Sequence, residues 1–382
     1  MKKIYSSIIL LALLIAGCSK KLILKNYYFN GKKNQITTKP VKQDFFVNKE
    51  LGDSLKTKWI LDVYGSFSNN SLTVYEKILF VSGLGGRITA FNLKTGKEFG
   101  VIKNKGEIRS APIIKGRKVI FVLNDYKENF GTFHVYDLDY GTEKTVKIDY
   151  GSNNKLLTDG KLFYVLSNNG NLFAVNINAK VKWQIKTNEQ TLCSPLMIED
   201  YIVWGNQKGK IYVVNKNLKK ILYSKNISGG FNSEVTGESK YFYIADINGI
   251  AYKIRINNGN VIWKYDTKAP VKNGITFDDK RAFIGNLNGD LFCVNKYSGE
   301  LYWEKSLGGL IDTTPLIFKD NLIQPNLQKK VDIVSIRSGR IVKTIKVGGR
   351  CKTAPIYSNG MIFLGTDYGK IYTFVINGSA NE

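Results

Sequence analysis

From residue 57 onward, apolar side chains come in short alternating runs, broken at regular places by Gly, Asn and Asp. The stretch "IADINGIAYKIRINNGNVIWKY" (Ile244 to Tyr265) has an Asn-Gly, an alternating run, a second Asn-Gly and then a Trp. "IGNLNGDLFCVNKYSGELYWEK" (Ile284 to Lys305) repeats it 40 residues later. Period-two alternation predicts strands, and Gly-containing tight turns predict antiparallel hairpins between them.

The register holds over eight units. Anchored just before the first apolar strand, the units start at Leu72, Pro112, Lys155, Pro195, Val235, Ile275, Pro315 and Pro355. Every spacing is 40 except the second, which is 43. Trp183, Trp263 and Trp303 each stand 28 residues past an anchor, and Tyr223 takes the same slot. A period near 40 with four short strands per unit predicts an all-β, eight-bladed β-propeller of four-stranded antiparallel blades. A blade has two apolar faces, and only a neighbour on each side buries both. The Trp is expected to wedge between adjacent blades. Burying one such ring is worth about 3 kcal/mol or more.

The last unit, ending in "KIYTFVINGSANE", supplies a third strand and no fourth. "KTKWILDVYG" precedes the first anchor with Trp59 in nearly the Trp position. Residues 57–63 are therefore expected to complete the last blade and seal the ring. Deleting them should destabilise the whole ring, while deleting 20–50 should not.

The first residues read differently. Lys2 and Lys3 precede an apolar run from Ile4 to Ala16, too short to span a bilayer, and then Gly17-Cys18. This describes a secretory signal over 1–17. Ala-Gly-Cys resembles the bacterial lipoprotein box, which implies that Cys18 becomes the first mature residue and carries the lipid. Ser19 in place of Asp implies the outer membrane. Residues 18–56, rich in Lys and Asn, are expected to be a lipidated flexible tether. The apolar "LILKNYYF" within it has the composition to dock, but is read as linker.

Candidate chemistry is sparse. His134 is the only histidine and alternates with apolar residues on a strand, as one side chain of a sheet face. A hydrolase triad or a His-rich metal site has little to use. Cys193, Cys293 and Cys351 stand singly. Buried thiols are the favoured reading, and a Cys193–Cys351 pair stays open in an oxidising compartment. "GLGGR" precedes a strand, so it reads as a hairpin and not a phosphate loop. "DLDYG" and "TFDDK" lack calcium-loop spacing. The formal charge of +25 is scattered over every blade. A secreted lipoprotein does not meet nucleic acid, so the charge points to anionic lipid or acidic partners, or to composition alone.

"CVNKYSGELYW" (Cys293 to Trp303) resembles the quinoprotein propeller repeat, Ala-x-Asp-x-x-Thr-Gly-x-x-x-Trp, and "AFNLKTG" (Ala90 to Gly96) matches its first seven positions more closely. With eight units and a lipobox upstream, the chain over 57–382 resembles the BamB family. The resemblance implies a non-catalytic lipoprotein without cofactor or metal. Held to outer-membrane lipid through Cys18 and facing the periplasm, it would be monomeric within a larger complex. Its implied partner is the Omp85-type barrel assembly protein, and its implied role is to help outer-membrane proteins insert. The alternative is a quinoprotein enzyme or ligand-binding domain holding pyrroloquinoline quinone and calcium. Such enzymes carry an adjacent Cys-Cys pair, absent here.

The family's partner contact lies on loops leading into two consecutive middle blades, here "KTNEQTLCSP" and "NISGGFNSEV". Glu189, Gln190 and Leu192 replace the family's Leu-flanked Arg, and Asn232 replaces an Asp. Phe231, between flexible Gly and Asn232, reads equally as an exposed interface anchor or as a ring packed into its own blade.

Overall fold

The computed structural model describes residues 20–27, 29, 45–51, 55–125 and 129–376. Its thirty-two strands form eight four-stranded antiparallel sheets. Seven are contiguous in sequence: blade 1 (72–103), blade 2 (113–149), blade 3 (157–185), blade 4 (196–226), blade 5 (236–266), blade 6 (276–306) and blade 7 (316–346). Blade 8 takes three strands from 356–376 and its outer strand, Leu55–Asp62, from the other end of the domain. That strand pairs antiparallel with Lys370–Ile376, from Leu55 opposite Ile376 to Asp62 opposite Lys370. The expected seal is present, with a register shift at Thr57/Trp59 like the one beside Trp263 in blade 5.

In each blade the middle strands are buried along their length, as Ile78–Gly83 and Met361–Gly365 show, while outer strands alternate. Aromatic side chains at the Trp slot cross to the next blade. Trp263 Nε1 donates to Lys296 O at 3.0 Å, Trp303 Nε1 to Ile336 O at 3.1 Å, and Tyr223 Oη to Ile256 O at 2.7 Å. Each ring lies on a turn glycine of that next blade, Gly299, Gly339 and Gly259, where a Cβ would come within 3 Å. The expected wedge is thus a ring, a socket and a carbonyl.

Blade 1 lacks the ring. Its Trp slot holds Gly100, while the socket glycine opposite, Gly141, is retained. Residues 20–27 and 29 fill the place. Lys21 bridges in parallel to Val101 on the free edge of the outer strand Glu98–Lys103. Leu22 N–H donates to Val101 O at 3.1 Å, and Val101 N–H to Lys20 O at 2.8 Å. Lys21 Cε would meet a Cβ on Gly141 at 2.8 Å. Leu24 N–H donates at 2.6 Å to Leu138 O, the carbonyl equivalent to Lys296 O and Ile336 O. A Cβ on Gly100 would lie 2.8 Å from Lys20 O, so the segment passes only because no side chain is there.

Leu22 and Leu24 are buried, with Tyr27 and Phe29 packed behind them. Tyr27 contacts Phe29 and Phe99 edge-on at 5.1 and 5.3 Å. The Arg117 guanidinium covers Phe29 at 4.7 Å, and also donates to Tyr27 O and Leu24 O. Residues 45–51 are docked as well. Phe46 bridges to Ile317, Val47 N–H donates to Ile317 O, and Leu51 N–H to Asp320 Oδ1. These two segments correct the expectation of a loose tether over 18–56. Alternating apolar residues find a free strand edge and a groove, and their burial offsets the ordering entropy. Cys18 and the leader 1–17 lie outside the described residues.

Candidate functional site

Innermost strands of the blades surround a cavity of about 260 Å³ lined by Leu72, Pro112, Leu157, Leu196, Thr236 and Phe45 among others. Phe45 enters it from the N-terminal segment and meets Phe277 edge-on at 4.9 Å. At its wall Glu234 is engaged by Lys155 at 3.7 Å and Thr314 Oγ1 at 3.4 Å. Among the described residues, no group of three His, Cys, Asp or Glu could hold a metal ion.

The three described cysteines are free and buried, so the Cys193–Cys351 alternative does not form. Burial pushes each thiol up to about 12. His134 is buried, stacked on Phe121 at 4.7 Å, with Nδ1 2.7 Å from Glu143 Oε2. It is part of the sheet packing, as its alternation predicted.

The loops into blades 4 and 5 lie side by side and share one residue. Asn206 Nδ2 donates to Glu189 Oε2 of the first loop, and Asn206 O accepts Phe231 N–H of the second at 2.9 Å. Val235 N–H also donates to Ser194 O at 3.0 Å. Each loop is further pinned to a neighbouring hairpin turn: Gln207 N–H donates to Gln190 O, and Ile247 N–H to Gly230 O. The rim is thus a rigid backbone frame.

Sequence-predicted residues divide on this frame. Gln190 is exposed and Leu192 is 45% exposed. Glu189 is half-buried and ion-paired with Lys210 at 2.8 Å. Burial alone would raise its carboxyl, but hydrogen bonds from Lys210 and Tyr212 and the charges of Lys210 and Lys208 outweigh that and hold it low. Asn232 is half-buried, with Oδ1 lacking a hydrogen-bond partner.

Of the two readings of Phe231, the exposed anchor does not hold: the residue is fully buried. Its ring lies across Gly205, whose Cβ would come within 2.6 Å of it, and edge-on to Tyr252 at 6.2 Å. Four residues before the anchor, six of the eight loops carry a buried side chain: Ile108, Thr191, Phe231, Val271, Ile311 and Cys351. The register that located the blades therefore also marked Phe231 as core. Ile247 is the residue missed. It is 41% exposed beside Gly230, an apolar side chain in a hairpin turn where blade 4 has Gln207.

A sequence profile described as outer membrane protein assembly factor BamB matches residues 53–265 and 248–330. The chain belongs to the BamB family. Among solved structures, BamB from Moraxella catarrhalis aligns at 14% identity and TM-score 0.70, covering 84% of this chain and 100% of that one. The computationally designed Ika8 protein aligns at 14% identity and TM-score 0.71, covering 87% of this chain and all of the design. Quinohemoprotein alcohol dehydrogenase from Comamonas testosteroni aligns at 9% and 0.72, covering 89% and 79%. At such identities these three likenesses establish the fold alone. No curated protein matches.

Proposed function

We propose that this BamB-family propeller is a non-catalytic scaffold in the assembly of outer-membrane β-barrels, lipid-anchored through Cys18 on the periplasmic side of the outer membrane. Its partner is the Omp85-type barrel assembly protein. The observation that carries the reading is the doubled loop frame over blades 4 and 5. Two loops share Asn206 and hold Gln190 and Leu192 outward on fixed backbone, with Ile247 beside them. Rigid elements presenting an apolar side chain in a polar setting suit recognition of another protein. The family's membership supports the assembly role. The charge set at the rim, Lys208 and Lys210 around Glu189, favours an acidic contact surface on the partner.

Binding of the full lipidated chain to purified periplasmic domains of the barrel protein tests this. Leu192→Asp with Ile247→Asp should abolish binding while the melting curve stays unchanged. Undiminished binding by that folded variant would remove this rim from the interface.

A further inference from the structure

Only Ser19 separates Cys18 from Lys20, the first residue held by the propeller. Extended backbone covers ~7 Å in that distance. Lys20 is held by Val101 on the free edge of blade 1, at the outer rim of the ring. Blade 5 stands four places further round an eight-membered ring, opposite blade 1. In the docked segment Lys20, Lys21, Ile23 and Lys25 are exposed while Leu22 and Leu24 are buried. Tyr140, 68% exposed, lies under Lys25 at 6.0 Å. Cations with an apolar residue and an exposed Tyr suit a bilayer with anionic headgroups.

We propose that residues 20–29 are an orienting clamp and not a leash: they hold the propeller with the blade 1 rim against an anionic bilayer and blades 4 and 5 pointing away. The inference rests on lipid attachment at Cys18. It deepens the scaffold reading, because the rim carrying Leu192 and Ile247 would then be the part of the molecule farthest from the membrane. A leash of the predicted tether length would let that rim face anywhere.

The test uses the full lipidated chain in vesicles of phosphatidylethanolamine and phosphatidylglycerol carrying a lipid-borne quencher. Fluorophores are placed one at a time through Lys97→Cys in blade 1 and Asn260→Cys in blade 5. These are equivalent exposed positions of opposite blades. The buried native thiols, pushed up to about 12, stay unlabelled. Strong quenching at 97 and none at 260 is expected. In the Leu22→Asp, Leu24→Asp variant the chain should stay attached and the difference between labels should disappear. Equal quenching at the two positions in the unaltered chain overturns the clamp while leaving the anchor intact. If Cys18→Ser attaches as well as the unaltered chain, the anchor itself is wrong and the clamp falls with it.

Discussion

The seam between blades 5 and 6 and the seam between blades 1 and 2 have the same job and different solutions. At the first, one residue does everything: Trp263 fills the gap, rests on Gly299 and donates to Lys296 O. At the second, Gly100 leaves the gap and the chain's own N-terminal segment enters. Leu22 and Lys21 supply the bulk and Leu24 N–H the donor. The socket is therefore a property of the repeat, and what fills it is free to vary. A side chain filling it is covalently committed to its blade. A segment filling it can be added, displaced or pulled.

The comparison can be broken in steps. Removing Leu55–Asp62 sets the upper limit for damage to any seam, since blade 8 loses its outer strand and the ring its closure. Loss of the cooperative transition in a urea titration is the expected outcome. Trp263→Ala should cost about 3–5 kcal/mol, read as a shift in urea midpoint at constant m-value. At the other seam, Leu24→Ala should cost about 2 kcal/mol. Deleting residues 20–29 should lower the melting temperature clearly, against the expectation from sequence that removing 20–50 is harmless. Equal melting curves with and without 20–29 would show that the segment only rests on its seam.

A subtler contrast comes from pH. Lys253 lies at the Trp263 seam, buried, with Nζ donating to the same Lys296 O at 2.9 Å. Desolvation lowers its pKa, against a partial opposing effect from Glu238. A lysine held low in the folded chain contributes stability that is full above the ordinary lysine value. That stability is lost as pH falls through the folded one. Stability should therefore rise as pH climbs from the lowered value towards about 10.4, and Lys253→Met should be flat over that window. Urea midpoints at a series of alkaline pH values check this. The seam at Gly100 has no such buried ammonium among its described contacts, so Leu24→Ala should keep the slope of the unaltered protein.

The repeat was legible because a 40-residue register places each blade's turns, core strands and Trp independently of the others. Closure was legible for the same reason, since Trp59 stood out of place unless it belonged to the last blade. The docked N-terminal segment was not, because its burial depends on an edge some eighty residues away in sequence, and the stretch that follows it is rich in Lys and Asn. A clue was present in Gly100, the glycine in a Trp slot. For Phe231 the neighbouring glycines left exposure and packing both open. Position within the repeat, four before the anchor, decided its burial instead. That Glu189, Gln190 and Leu192 share one loop was legible, but which of them face solvent depended on the pairing of Glu189 with Lys210.

Blades 1 to 7 are each built from consecutive residues, whereas blade 8 joins Leu55 to Ile376 across nearly the whole domain. Closing so long a loop carries an entropic penalty of ~5 kcal/mol, with no contact to offset it until the strand docks. For a chain emerging N-terminus first, the strand 55–62 is among the first parts of the domain to appear and the last to find its partner. Through that whole interval it is an unpaired edge, and blade 1 has a bare flank where blade 8 will stand. Such surfaces invite pairing between chains. The order of emergence thus makes the time until the last blade appears, and not the strength of any one blade, the interval in which this protein is most open to aggregation.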